Sequence, residues 1–307
     1  MVLLATEKPF SASARDQVVA ILKDAGHEVR VLEKYPAQAA LLDALRSAHA
    51  AIVRSDVVDA AALAAAPELA LVVRAGAGYD TIDTAAARAR GVDVMNTPGQ
   101  NANAVAELAF GMMTYLCRGK FDGKTGTELR GKTLGVHAVG AVGRALLAIA
   151  SGYGMKTWGF DPYVDAAAMR SAGAEPVASV EELYERSQFV SLHVPATPET
   201  KGSVGKALLG RMPKGAMLVN TARKEVIDEA GLLEVFAERP DFRYASDIAP
   251  SDATAAALRE KYDARIYLTP AKMGAQTEEA NVNAGLAAAR QIVAYFATGE
   301  RRFVVNP

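Results

Sequence analysis

Short continuous apolar runs alternate with alanine-rich segments of helical spacing almost from end to end, and this alternation most constrains the fold. VLLAT (2–6), HEVRVLE (27–33), AAIVRS (50–55), LALVVRA (69–75) and VDVMN (92–96) form a first series. After ELRGK the series restarts with TLGVHAV, KTWGFD, FVSLHV, AMLVNTA, RYASDIA and RIYLT. Between the runs lie segments such as ASARDQVVAILKDAG and AALLDALRSAHA, with helical spacing and glycine or polar stops. Strands that are apolar throughout, rather than at every second residue, belong to parallel sheets covered on both faces. The expectation is an α/β protein with two doubly wound parallel-sheet domains and an active-site cleft between them.

The 307 residues suffice for two buried cores. NTPGQNAN (96–103) supplies turn residues ahead of a long helical stretch and marks the first boundary. A last helix, about Thr277 to Ala297, could carry the chain back. The domains are therefore expected at 1–98 with 286–307, for substrate, and at 99–285, for a dinucleotide.

Composition excludes several function classes. Net charge is −1 with no long basic block, so neither nucleic acid nor an anionic membrane is an expected partner. Nowhere do eighteen apolar residues follow one another, and the start MVLLATEKPF lacks the basic leader and long apolar run of a signal peptide. The single cysteine, Cys117, permits no intrachain disulfide, which suits a reducing, cytoplasmic setting. It ends the helical stretch AVAELAFGMMTYLC with no base beside it, and reads as packing rather than as a nucleophile. No metal site is expected.

TLGVHAVGAVGRALLAIA runs strand, glycine turn, helix. Ala138 stands where the first glycine of G-x-G-x-x-G would be, followed by Gly140, Ala141, Val142 and Gly143. An imperfect motif of this kind is weak alone, but Asp161 follows at the end of the next strand. Gly140 lets the backbone approach a pyrophosphate seated on the helix N-terminus, and Asp161 would take the ribose hydroxyls. A carboxylate there repels a 2′-phosphate, so this Rossmann-like half favours NAD over NADP.

Three arginines stand at strand ends: Arg54, Arg74 and Arg223. One alone would ordinarily be a solvated surface residue. Two in the first half and one in the second point to a small, doubly anionic substrate, because guanidinium captures carboxylate and phosphate bidentately. Gly76 and Gly78 would let backbone N–H groups reach an anion as well.

The stretches VVRAGAGYDTID, VMNTPGQNANAVAELAFGMM, GKTLGVHAVGAVGR, VSLHVPATPETKG and MPKGAMLVNTARKEVIDEAGLLE resemble the D-2-hydroxyacid dehydrogenase family over essentially the whole chain. ATEKPF, RAGAGYD, NTARKEVIDE and KMGAQTEEANVNAG resemble a branch of it, the short D-3-phosphoglycerate dehydrogenases that open serine synthesis. The resemblance implies that Arg223 grips the substrate carboxylate and polarises its C2 oxygen. It implies that Arg54 and Arg74 bind the carboxylate and phosphate ends, with Ser55, Gly76 and Asn101 beside them. Ala141 and Val142 would cradle the dinucleotide, with Val194, Thr221, Ala222 and Gly274 as further contacts, and Asp247 would orient the nicotinamide carboxamide. A homodimer through the dinucleotide-binding domain is implied too. The chain stops at FVVNP, so the C-terminal regulatory domain of longer relatives, and serine feedback through it, is not expected.

The family usually carries a histidine after the final TP, paired with a glutamate. Here TPAKMGAQT has none, and Pro250 stands about where the glutamate would. His137 and His193 fall in strand segments, and His27 and His49 lead into first-half strands. Lys272 lies within one residue of the missing histidine, and some phosphoglycerate dehydrogenases resemble this sequence in carrying lysine there. It is the expected general base for alcohol oxidation. Lysine begins at a pKa of ~10.4, so burial and neighbouring positive charge would have to lower it. Glu225 and Asp252 are possible partners. Two other readings stay open: a dehydrogenase of the glyoxylate, hydroxypyruvate or D-lactate type, and a non-catalytic NAD-sensing protein.

Overall fold

The computed structural model describes all 307 residues. They divide into two compact units, Met1–Asn101 with Ala275–Pro307, and Ala102–Gly274.

The first unit is built on β1 (Val2–Thr6), β2 (Val29–Glu33), β3 (Ala50–Val53), β4 (Leu71–Arg74) and β5 (Asp93–Asn96). They form one parallel sheet in the order β2-β1-β3-β4-β5. Leu4 lies opposite Val31 on one side and Ile52 on the other. Every residue of β1 and β3 is buried, which is why those runs are apolar without alternation. Leu3, Leu41, Leu45 and Val72 fill the core on one face. Leu4, Val18, Leu22, Ile52 and Ile292 fill the other.

Helix Glu278–Thr298 packs on the second face beside helix Ala12–Asp24. A Cβ on Gly285 would meet Val18 at 3.0 Å and Phe10 at 3.2 Å, so glycine is what lets the two helices approach. The helix starts at Thr277, whose hydroxyl accepts from the Ala280 amide at 3.1 Å, and stops at Gly299 with φ of 73°. All of it lies in the first unit, so the second crossing falls at 274–275, ahead of the helix. The boundary expected at 285–286 falls inside this helix, where the sequence shows no break.

The second unit contains β6 (Thr133–His137), β7 (Lys156–Phe160), β8 (Glu175–Pro176), β9 (Phe189–Leu192), β10 (Met217–Asn220), β11 (Arg243–Ser246) and β12 (Ile266–Leu268). Their order is β12-β11-β10-β9-β6-β7-β8, again all parallel. Sequence order reverses between β6 and β9, so the crevice where such folds take ligands opens at the carboxyl ends of these two strands. β8 escaped the sequence reading: two residues at an edge, one a proline, carry no periodicity. Helices Ala102–Cys117 and Ala141–Gly152 cover one face through Phe110, Met113, Leu146 and Leu147. Leu183, Leu209, Leu232 and Phe236 cover the other. Cys117 is buried and free, as its packing role requires. No helix is long and apolar enough to cross a membrane.

Candidate active site

In the first unit the strand ends carry the arginines. Arg54, half-buried just beyond β3, donates from Nη1 to the carbonyls of Lys8 and Pro9, both at 2.9 Å. Its Nη2 donates to Asn281 Oδ1, and its guanidinium lies 4.8 Å above the Phe10 ring. Burial lowers its pKa from the ordinary value, and the Asp56 charge opposes that. Asp56 itself is 1% exposed and accepts from the Glu7 amide at 2.7 Å, the Arg54 amide at 2.9 Å and the Tyr35 hydroxyl at 2.5 Å. It thereby ties the loop after β1 to the end of β3. Burial and the Asp56 charge push the Tyr35 phenol well above its usual range, so Tyr35 stays a proton donor.

Arg74 Nε donates to the Arg54 carbonyl at 3.0 Å. A Cβ on Gly76 would lie 1.4 Å from Arg74 Nη1, and Gly76 has φ of 145°. Glycine at 76 therefore makes room for the guanidinium of Arg74 to fold across the backbone. That is a different reason from the amide access expected of it, and the carbonyl of Gly76 is held by the Thr97 amide at 2.9 Å. The Ser55 hydroxyl is buried with no hydrogen-bond partner in the protein, as are those of Thr6 and Thr97 at the ends of β1 and β5. Asn101 stands half-buried directly before helix Ala102–Cys117.

In the second unit the glycine turn keeps its geometry despite Ala138, which adopts φ of 78° in the left-handed region. Gly143 packs helix on strand: its Cβ would meet the Ala138 carbonyl oxygen at 2.5 Å. Gly140 differs, having an ordinary φ of −74° and no atom within 4 Å of a Cβ built there. Nothing in the protein requires glycine at 140, and its absence of a side chain leaves the backbone there open to close approach. Gly140 is also the N-cap of helix Ala141–Gly152 and offers no side-chain acceptor, so the first-turn amides face that space. Asp161 Oδ2 accepts from the Val139 amide and Oδ1 from the Tyr163 amide, both at 2.9 Å. Each oxygen keeps capacity for a sugar hydroxyl. These residues fit a dinucleotide without a 2′-phosphate.

Beyond β10, Asn220 knits the turn that carries Arg223. Its Oδ1 accepts from the Ala222 amide and its Nδ2 donates to the Arg223 carbonyl, both at 3.0 Å. Arg223, half-buried, donates from Nη1 to the Ala222 carbonyl at 2.9 Å. The Thr221 hydroxyl is buried without a partner in the protein, and Val194 and Ala222 are buried beside the strand ends.

Asp247, 1% exposed, directs its carboxylate at the loop after β12. Oδ1 accepts from the Met273 amide at 2.7 Å and the Thr269 hydroxyl at 3.2 Å, and Oδ2 from the Gly274 amide at 2.8 Å. This carboxylate, assigned to the carboxamide by resemblance, thus shapes the loop that presents Lys272. Lys272 is exposed, so the burial expected to lower its pKa is not supplied by the chain itself. Glu225 is exposed on a short 3₁₀ turn, Lys224–Val226, and Asp252 opens helix Asp252–Tyr262. Pro250 is buried, and Glu229 holds that loop instead, accepting from the Ser251 amide at 2.7 Å and the Thr254 hydroxyl at 2.6 Å.

His137 ends β6, and its Nδ1 lies 3.3 Å from the Tyr184 hydroxyl. His193 stands one residue past β9 rather than in it, and its Nε2 is buried with no partner in the protein. Burial lowers His137 to about 4 and His193 to about 3. Sequence reasoning missed Asp56, Asn220, Asn281 and Tyr35. Asn220 and Asn281 lay inside stretches already singled out, but a supporting role for a polar residue needs coordinates.

Two parallel sheets, one of them with a glycine turn and its acid at a switch point, define a dinucleotide-binding α/β protein as a class. Residues 104–270 match the family described as D-isomer specific 2-hydroxyacid dehydrogenase, NAD binding domain, and the chain belongs to that family. It is 36% identical over 270 residues to D-3-phosphoglycerate dehydrogenase of Methanocaldococcus jannaschii, covering 82% of this chain and 50% of that protein. The rat D-3-phosphoglycerate dehydrogenase is 34% identical over 288 residues, covering 89% and 53%. The chain thus spans about half the length of the curated relatives it matches. The NAD⁺-bound 3-phosphoglycerate dehydrogenase of Entamoeba histolytica superposes with a TM-score of 0.88 at 43% identity, covering 100% of this chain and 98% of that one.

Proposed function

We propose that this chain oxidises D-3-phosphoglycerate at C2 to 3-phosphohydroxypyruvate, with NAD as hydride acceptor. The observation that carries the reading is Arg54: a half-buried guanidinium at a strand end, held by two carbonyls and an amide oxygen rather than by a carboxylate. A charge held in that way is suited to a second anionic group on the substrate.

Gly140, Ala141, Val142 and Gly143 would hold the pyrophosphate of NAD at the helix N-terminus, and Asp161 the adenosine ribose. Val194, Thr221, Ala222 and Gly274 would line the strand-end side. NAD supplies the acceptor for the hydride that leaves C2. Arg223 grips the substrate carboxylate and polarises the C2 oxygen, so negative charge developing there is stabilised. Arg54 takes the phosphate end, with Arg74, Ser55 and Asn101 binding the carboxylate and phosphate ends beside it, and Gly76 makes room for the Arg74 guanidinium. Lys272 Nζ accepts the proton of the C2 hydroxyl, and returns it when the ketone is reduced. Asp247 holds the loop that carries Lys272. With the lysine exposed in the chain alone, exclusion of water by bound ligands would favour its deprotonation.

The single cysteine supports a reducing, cytoplasmic setting, and the resemblance supports a homodimer, which sedimentation would test. The decisive measurement of function is initial NADH formation from D-3-phosphoglycerate and from D-glycerate, between neutral and alkaline pH. Strong preference for the phosphorylated substrate, with rate rising as pH rises, is the expected result. Equal rates would remove the phosphate assignment of Arg54 and Arg74. NADH binding without turnover on either substrate would leave a nucleotide-binding protein.

A further inference from the structure

Arg54 is aimed by three uncharged acceptors, one of them a side chain. Asn281, in the first turn of helix Glu278–Thr298, takes Arg54 Nη2 on its Oδ1 while its Nδ2 donates to the Thr277 carbonyl at 2.9 Å. This pairing fixes the amide orientation, because a flipped amide would set N–H against N–H and oxygen against oxygen. The remaining acceptors of the guanidinium are the Lys8 and Pro9 carbonyls, and Phe10 supplies a face. Asp56, the acid nearest in sequence, meets Tyr35 and two backbone amides, one of them that of Arg54, and none of the guanidinium nitrogens. An aspartate at 281 would occupy the same volume and reach the same nitrogen, but would neutralise it. We propose that Asn281 is a specificity-determining residue: its neutrality keeps the Arg54 charge available, so that a substrate bearing phosphate is preferred over the same hydroxy acid without it.

The inference rests on the reading of Arg54 as a phosphate ligand, and one experiment separates the two. Wild type, Asn281→Asp and Asn281→Ala are compared for kcat and KM on D-3-phosphoglycerate and D-glycerate, with NADH affinity followed by fluorescence. Asn281→Asp is expected to lower the preference for the phosphorylated substrate at least tenfold through KM. Its kcat, its NADH affinity and its kcat/KM on D-glycerate should stay within threefold of wild type. Asn281→Ala removes the acceptor without adding charge and is expected to lower the preference less than threefold. An unchanged preference in Asn281→Asp, or equal losses in the two variants, would overturn the role of neutrality while leaving the parent reading in place. A wild type without preference would overturn both. A negative charge in a first helical turn is favourable, so Asn281→Asp should fold. If melting shows otherwise, Asn281→Glu carries the same charge and decides by the same criteria.

Discussion

The amide of Gly274 donates to Asp247 Oδ2 at 2.8 Å, and a Cβ on residue 274 would lie 2.8 Å from that same oxygen. The two residues are fitted to each other, and Lys272 sits two positions away on the loop they hold. Gly274→Ala must push the carboxylate aside, and Asp247→Asn turns one of its acceptor atoms into a donor facing an amide. Each is expected to lower kcat at least tenfold, with a stability loss of about 1–3 kcal/mol from the unsatisfied buried group. Turnover with D-3-phosphoglycerate alongside thermal melting checks both. Lys272→Met should remove more than ~99% of turnover, the usual scale for a general base, with NADH binding retained. A folded Lys272→Met protein with near-normal turnover would refute the assignment.

Ala138 holds the left-handed conformation that a glycine would hold without strain. That region costs a non-glycine residue about 1–2 kcal/mol, against roughly 0.5–1 kcal/mol of extra chain entropy lost by glycine on folding. Ala138→Gly is therefore expected to stabilise the protein by a few tenths to about 1 kcal/mol, read by urea unfolding, with NADH affinity unchanged. Destabilisation would mean that the alanine methyl packs well enough to repay the strain.

Much of this was legible in the chain, and the part that was not has a physical reason. Apolar runs announced eleven of the twelve strands, all but β8, and the Gly140–Asp161 spacing placed the turn and its acid. What stayed hidden depends on contacts between distant segments. Gly76 looks like any loop glycine until the Arg74 guanidinium is seen lying where its Cβ would be. Asp56 and Asn281 are polar residues in ordinary company, and only coordinates show both serving Arg54, one through its amide and the other through its side chain. What would cover Lys272 is likewise not written in the sequence, and in the chain alone the side chain is exposed.

Asp161 holds its own turn together. Its two oxygens satisfy the Val139 and Tyr163 amides, so removing the carboxylate loosens the turn itself. Asp161→Ala is expected to weaken NADH binding about tenfold and to destabilise the fold by ~1–2 kcal/mol, from amides left without their acceptor. NADPH binding should improve relative to NADH, since the repulsion of a 2′-phosphate disappears. Fluorescence titration with both nucleotides checks the ratio, and a ratio unchanged from wild type would place the ribose elsewhere.

His137 and His193 are expected to contribute to the loss of stability in acid. Burial lowers His137 to about 4, against the pull of Asp161, and lowers His193 to about 3, with His137 adding to the effect. Both stay neutral in the folded protein while the unfolded chain protonates its histidines near 6.5. The unfolded state then binds more protons, so stability is fully present above pH ~6.5 and falls as pH drops, by about 1.4 kcal/mol per pH unit for each histidine. The loss continues until the folded-state values are reached, near pH 4 for His137 and near pH 3 for His193. Urea unfolding at pH 7, 6 and 5 should therefore show a steepening loss, on the order of 2 kcal/mol per histidine by pH 5. His193→Gln, which cannot protonate in either state, should remove about half of that slope even if it lowers stability at pH 7. An unaltered slope in that variant would assign the acid sensitivity to the carboxylates instead.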